Sequence, residues 1–252
     1  MTQMRLSIAV GILLASGPLF AQGSATAMPA RSPAAHSAYF IDPRVIDLSL
    51  ILQQPPAPDS DVAMAELAAL HRIESARTPA EIAAAQADDG EEDIFTYRDV
   101  MGPGFTAQAL PVTAALSEHV HGDEPVASAP LKILYQRPRP YQTDATLHPV
   151  CSLTKAHNSY PSGHTISGYL LAFTLVQMVP EKRRQILDRA DQYAHNRLVC
   201  GLHYQSDIDA SRDVAYAVFG YMLASPRFQK ELAAARDETR RHLGLPLETP
   251  QP

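Results

Sequence analysis

Residues 158–178 read Asn-Ser-Tyr-Pro-Ser-Gly-His-Thr-Ile-Ser-Gly-Tyr-Leu-Leu-Ala-Phe-Thr-Leu-Val-Gln-Met. Proline, serine and glycine in succession at 161–163 describe a turn, and helical periodicity runs over 165–178. Tyr169, Leu170, Leu171, Phe173 and Leu175 give that helix the composition of a core element rather than of a cofactor-binding box. The apolar run from Tyr169 to Val179 has the length of a core helix and is too short to cross a bilayer. A turn feeding a helix N-terminus offers free backbone N–H groups and a hydroxyl, here those of Gly163 and Ser162, which suits an anion. His164 stands at the rim of that turn as a candidate proton donor.

Outward from this stretch the pattern stays helical. Periodicity resumes over 181–200 after Pro180 and over 204–223, and Ser225-Pro226 opens a last charged helix that Gly244 ends. Upstream, residues 137–162 are a proline-rich polar connection. Helices are expected over 94–101, 105–119 and 126–136, with Pro111 kinking the second or shifting its start. Thr78-Pro79-Ala80-Glu81 is a capping box with proline at the first helical position, so a helix begins there and runs into the acidic stretch Asp88–Asp93, read as a solvated loop. Asp59 or Ser60 caps an earlier helix through Ala76, with Leu67, Leu70 and Ile73 facing inward. No β-alternation of useful length and no repeat is present. The fold class is all-α, a single-domain helical bundle over 45–244, with a loose N-terminal arm at 24–44 and a loose tail at 245–252.

The first residues read as an address. One charge at Arg5, a mostly apolar run from Leu6 to Phe20, and small residues at Ala21, Gly23, Ala25 and Ala27 follow the order of a secretory signal peptide over 1–23, cleaved somewhere between 21 and 27. Pro18 and the small residues favour this over an uncleaved membrane anchor. The mature protein is then periplasmic or secreted, with no membrane attachment. In an oxidising compartment Cys151 and Cys200 form a disulfide more readily than they remain two buried thiols.

Composition narrows the functional classes. The chain has 252 residues, 46% hydrophobic and 19% charged, and a formal net charge of −6 that becomes −7 when Arg5 is removed with the signal. This balance argues against nucleic acid or an anionic membrane as partner. Two cysteines exclude a disulfide-dense miniprotein and a four-thiolate zinc site. An anionic chain that handles an anion must gather its cations locally, and two further patches do so. Lys132, Arg137 and Arg139 lie within eight residues in Lys-Ile-Leu-Tyr-Gln-Arg-Pro-Arg-Pro, pairing a compact charge with planar donor forks that suit phosphate oxygens. Taken alone, the cluster also fits an ordinary basic surface. In His195-Asn-Arg197-Leu-Val-Cys-Gly-Leu-His203-Tyr-Gln-Ser-Asp207, the histidine and aspartate four apart share a face if helical. The carboxylate can then fix the imidazole tautomer and leave the other nitrogen as a nucleophile or base.

Together these patches carry a resemblance. Lys132 followed by Arg139-Pro140, then Pro161-Ser162-Gly163-His164, then Arg197 with His203 and Asp207, resembles the signature K-x6-R-P, P-S-G-H, S-R-x5-H-x3-D of the type 2 phosphatidic acid phosphatase superfamily. The lysine spacing selects Arg139 rather than Arg137. Within that superfamily the chain is most similar to the secreted bacterial class A nonspecific acid phosphatases. Ser159–Thr165 matches their hallmark string, with Asn158 replacing its glycine; Tyr204 stands where tryptophan is usual and Asn196 where serine is.

The resemblance implies a metal-independent acid phosphatase that hydrolyses a broad range of phosphate monoesters, releases inorganic phosphate and needs no cofactor. His203 would be the nucleophile that forms a phosphohistidine, Asp207 would hold its ring, and His164 would serve as acid and then base. Lys132, Arg139, Ser162, Gly163 and Arg197 would bind the phosphoryl oxygens. Tyr160 is a candidate at the pocket rim. A soluble lipid-phosphate phosphatase, a vanadate-dependent haloperoxidase, and a non-enzymatic phosphate- or metal-binding module suggested by His119-Val-His121 are the alternatives. His36, His71, His148, His157, His195 and His242 read as surface or satisfied polar groups. The reading admits a homo-oligomer.

Overall fold

The computed structural model describes residues 38–42, 44 and 47–247. The signal segment and most of the N-terminal arm, His36 included, lie outside the described residues, as do residues 248–252 of the tail. Among the described residues there are helices and no strands: α1 (Asp61–Ala76), α2 (Pro79–Asp89), α3 (Arg98–Met101), α4 (Pro111–Tyr135), α5 (Pro140–Thr143), α6 (Gly163–Met178), α7 (Arg183–Val199), α8 (Gln205–Ala224) and α9 (Pro226–His242). Short 3-10 turns at Leu48–Leu50, Ile94–Tyr97 and Pro180–Lys182 complete it.

The centre is α6. Every residue from Gly163 to Leu175 is buried except His164, and the helix packs against α4, α7, α8 and α9. A helix that is apolar all round belongs inside a bundle, which is what the run around Tyr169–Leu175 indicates. It begins at Gly163 rather than Thr165, because Ser162 is its N-cap and the Ser162 Oγ accepts the Thr165 N–H at 3.4 Å. Elsewhere Ser60, not Asp59, caps α1, and the Thr78–Glu81 capping box opens α2.

The segments expected as separate helices over 105–119 and 126–136 form one helix, α4, starting with Pro111 at its first position and running through Pro125 and Pro130. Each internal proline costs about 3 kcal/mol in an isolated helix. Here Leu116, Val120, Ala127 and Leu131 are buried along one side, and that burial outweighs the local preference. The continuity places Lys132 two turns beyond Glu124 on the same rod. The supposed loop 137–162 contains the single turn of α5. The acidic stretch is likewise only partly solvated. Asp88 is buried at the end of α2, where Arg189 donates to both its oxygens at 2.5 and 3.1 Å and Asn196 donates at 2.7 Å.

Cys151 and Cys200 are joined, with Cα atoms 5.2 Å apart. The bond ties the connection before α6 to the end of α7, and the Val150 N–H donates to the Cys200 carbonyl beside it at 3.1 Å. For a sequence separation of 49 residues the chain-entropy argument gives about 4 kcal/mol of stabilisation. Replacing both cysteines by serine should therefore lower the unfolding free energy by an amount of that order, seen as a lower urea midpoint and a lower melting temperature. An unchanged midpoint would mean that the cross-link contributes nothing to stability.

Candidate active site

The three sequence patches meet where α6 begins and where α7 passes into α8. Gly201, with φ of +74°, turns the chain after α7 in a conformation that side chains rarely adopt, and a Cβ there would lie 3.4 Å from the Pro149 Cα. This turn delivers His203, which is 2% exposed. Its Nδ1 faces the Ser159 carbonyl at 2.8 Å. A carbonyl only accepts, so Nδ1 carries the hydrogen and Nε2 keeps its lone pair. Arg139 Nη1 lies 3.0 Å from that Nε2.

His203 and Asp207 do not share a helical face as the spacing suggested. His203 precedes α8, and Asp207 sits in its first turn, where its Oδ2 accepts the Tyr204 N–H at 2.8 Å. The carboxylate is 3.4 Å from His203 Nδ1, farther than the carbonyl that orients the ring. Its shorter contacts are with the Ser159 hydroxyl at 2.6 Å and Arg137 Nη1 at 2.6 Å. Burial pushes the Asp207 carboxyl up to about 6, opposed first by Arg137. Guanidinium, amide and hydroxyl all donate to it, so it is ionised at neutral pH.

Arg137 is the residue that sequence reasoning passed over. It bridges Asp207 to Glu66 of α1, whose Oε2 it meets at 2.9 Å, donates to Ser206 at 2.7 Å, and lies over the Tyr204 ring at 3.9 Å. The doubled Arg-Pro of 137–140 was the available signal: one arginine serves the site and the other serves its carboxylate.

The remaining cations surround His203. Arg139 is anchored through Nε to Asn158 at 3.0 Å and through Nη1 to the Leu202 carbonyl at 3.2 Å. Arg197, 2% exposed, holds Asp89 at 2.8 Å and keeps a buried Nε with no hydrogen-bond partner. Lys132 is half-buried; desolvation lowers its pKa, partly offset by Glu124. A Cβ on Gly163 would fall 2.7 Å from Glu124 Oε1 and 3.1 Å from Lys132 Nζ, so the glycine is what lets the α6 N-terminus lie against both. Ser162 spends its N–H on Ser211 Oγ at 2.8 Å, while its Oγ accepts from Thr165 Oγ1 at 3.0 Å. Its own hydroxyl proton is left to donate. Burial first, then Arg139, Arg197 and Lys132, hold His203 well below the usual histidine range. His164 is pushed down to about 3 by burial and next by Arg197. Its Nε2 faces the Asp89 carbonyl at 3.3 Å and Glu92 Oε1 at 3.2 Å.

Other expectations resolve differently. Tyr160 is not at a rim: it is 2% exposed, donates to the Gln53 carbonyl at 2.6 Å and packs edge-on to Tyr135. His119 and His121 do not converge on a common ligand point, for His119 pairs with Glu231 at 2.8 Å and His121 with Ser167 at 2.9 Å. His71 and His148 are satisfied by Asp144 and Glu74, and His157, His195 and His242 are exposed. The cluster of Asp89 with Cys151 and Cys200 has its sulfurs committed to the disulfide.

Removing Arg137 leaves Asp207 and Glu66 buried without their shared cation. Arg137→Leu should cost about 3–5 kcal/mol in urea unfolding and displace His203 enough to depress turnover. A variant as stable and as active as the parent would show that the Asp207 carboxylate does not depend on it.

The PAP2 superfamily matches residues 109–231, a span containing all three patches. A non-specific acid phosphatase of Providencia stuartii is 31% identical over 213 residues, which is 79% of this chain and 84% of that protein. One from Salmonella typhimurium is 40% identical over 115 residues, covering 44% of this chain and 46% of the relative. A transmembrane PAP2 type phosphatidylglycerolphosphate phosphatase of Bacillus subtilis superposes with a TM-score of 0.49 at 17% identity, over 66% of this chain and 87% of that one. With its signature residues gathered around His203 and a relative matched along most of both lengths, the chain belongs to the PAP2 superfamily, as an acid phosphatase of the class A type.

Proposed function

We propose that the protein is a metal-independent acid phosphatase that cleaves a broad range of phosphate monoesters through a phosphohistidine on His203. Phosphate monoester hydrolysis is the activity that goes with its family and its acid phosphatase relatives. The observation that carries the mechanism is the His203 tautomer: Nδ1–H is tied to the Ser159 carbonyl, and a bare Nε2 stands 3.0 Å from Arg139.

In this reading His203 Nε2 attacks phosphorus in line. As the P–N bond forms, the P–O bond to the leaving group breaks, and His164 gives that oxygen its proton. The positive charge gained by the His203 ring is balanced by Asp207. Lys132, Arg139 and Arg197, with the Ser162 hydroxyl and the Gly163 N–H, take the non-bridging oxygens, where phosphoryl transfer concentrates its charge. Water then attacks the phosphohistidine, His164 accepts its proton, and inorganic phosphate leaves. Preorganised guanidinium and ammonium groups supply the electrostatic stabilisation, so turnover is expected to persist in chelator.

Export by the 1–23 signal to the periplasm or beyond completes the reading. No helix among the described residues is long and apolar enough to cross a membrane.

The pH dependence follows from the two histidines. His203, held well below its ordinary value, keeps a neutral nucleophilic Nε2 through mildly acidic pH. His164 is held near 3 by burial and Arg197, and a phosphate dianion placed among those cations raises it toward the working range. The kcat profile should be bell-shaped with an acidic optimum; a rate that climbs without limit above neutrality contradicts the acid role of His164. His203→Ala should lower kcat by about 10³-fold or more and lose the labelled phosphoenzyme in an acid-free quench. A labelled intermediate surviving on that variant removes His203 as the nucleophile.

A further inference from the structure

His164 has a difficulty that His203 does not. To protonate a leaving oxygen it must exist as an imidazolium, yet Arg197 and Lys132, present to bind phosphate, both oppose its charge, and burial opposes it more. A bound phosphate offsets part of this, but its charge lies among the same cations. An acid placed there gains from a counter-charge of its own. Glu92 supplies one: its Oε1 lies 3.2 Å from His164 Nε2, beside the Asp89 carbonyl at 3.3 Å. Both partners accept, so Nε2 carries hydrogen and is occupied in holding the ring, and Nδ1 is the nitrogen left to face substrate.

We propose that Glu92 is a positioning residue for the reaction, fixing the His164 tautomer and stabilising the imidazolium whose Nδ1 proton goes to the leaving oxygen. The arrangement repeats, on the acid side of the site, what the Ser159 carbonyl and Asp207 do for His203: one carbonyl and one carboxylate on a single ring nitrogen. When the P–O bond breaks, the Nδ1 proton passes to the ester oxygen with the bonding pair. The Nε2 proton stays between the ring and Glu92, so the histidine ends neutral.

Glu92 is not simply a partner of its neighbours. It lies in the 90–93 loop after α2, with its side chain 30% exposed. Burial raises its pKa first and Glu124 of α4 adds to that, while His121 of α4, Arg197 of α7 and Lys132, farther along α4, lower it and favour the carboxylate. His121 is already engaged with Ser167 and Arg197 with Asp89, and Glu124 is like-charged.

The inference rests on His164 being the acid, and the test separates the two. Glu92→Gln, His164→Asn and the double variant are assayed on p-nitrophenyl phosphate, whose leaving group departs without a proton, and on glycerol 1-phosphate, whose alkoxide does not. If the counter-charge is worth one unit of His164 basicity, Glu92→Gln loses about tenfold in kcat on the alkyl ester. It should lose much less on the aryl ester, with KM little changed on both. His164→Asn shows the same discrimination more strongly, and the double variant matches His164→Asn, because a residue acting through another adds nothing once the other is gone. Glu92→Ala should repeat the pattern of Glu92→Gln, which guards against an effect peculiar to glutamine. Equal losses on both esters, or an additive loss in the double variant, overturn the role of Glu92. If His164→Asn itself fails to discriminate, the acid assignment falls and the inference falls with it, and that arm alone identifies the cause.

Discussion

The Asp207 carboxylate, fully buried and gripped by Arg137, Ser159 and the Tyr204 amide, is the interaction on which the rest of the site depends. It ties together the segments that must meet: the connection after α4 through Arg137 and Ser159, and the start of α8 through Tyr204. Arg137 extends the tie to α1 through Glu66, which also accepts the Ser206 N–H at 2.6 Å. Burying such charges costs several kcal/mol per ion unless each has its partners. Here the oxygens of Asp207 have them, so the network confers more uniqueness of position than stability. His203 inherits that position, since Ser159 contributes its hydroxyl to Asp207 and its carbonyl to the His203 ring.

The charge balance follows the same logic. A chain with more acid than base can still bind an anion, because its acidic side chains are assigned to holding cations in place. Asp89 fixes Arg197, Glu124 offsets the desolvation of Lys132, and Asp207 and Glu66 take up Arg137. Arg139 is held instead by neutral acceptors, Asn158 and the Leu202 carbonyl. Its full charge is therefore available beside His203 Nε2. The net charge of the chain is a property of its surface, whereas the potential in the pocket is set by which cations lack a carboxylate of their own.

Much of this was legible in the sequence where the physics is local. The apolar run of α6, the capping box of α2 and the cap at Ser225 depend on residues within one turn of each other and lie where their patterns placed them to within two residues, while of the two caps offered for α1, Asp59 and Ser60, the structure uses Ser60. What was not legible depends on distant partners. The prolines at 125 and 130 argue for a break in α4, and only the buried stripe from Leu116 to Leu131 overrides them. Asp88 and Asp89 look like part of a solvated run until Arg189, Asn196 and Arg197 of α7 are brought to them. Tyr160 lies between two motif residues and so invites a role at the rim, but its ring is buried against Tyr135 and its hydroxyl is spent on the Gln53 carbonyl. Arg137 could not be told from Arg139 on chemistry, only on spacing, and spacing identified the residue for the pocket without revealing a use for the other.

The proposed mechanism gives one residue type two opposed tasks, and the surroundings of the two histidines differ in a way that supports the division. Both rings have one nitrogen committed to a backbone carbonyl, that of Ser159 for His203 and that of Asp89 for His164. Both are also depressed by burial and by shared cations. They differ in depth and in the character of the carboxylate behind them. His203 is sealed at 2% exposure, and the Asp207 carboxylate behind it is shared with Arg137, so burial and the surrounding cations keep a proton off its ring. The His164 side chain is 23% exposed, and the carboxylate beside it is itself only part-buried. That ring is the one open to proton exchange with water. The proposed roles follow from this contrast: a nucleophile is to be kept from protons and an acid resupplied with them, and one histidine stands before α8 inside the bundle while the other stands at the more exposed start of its central helix.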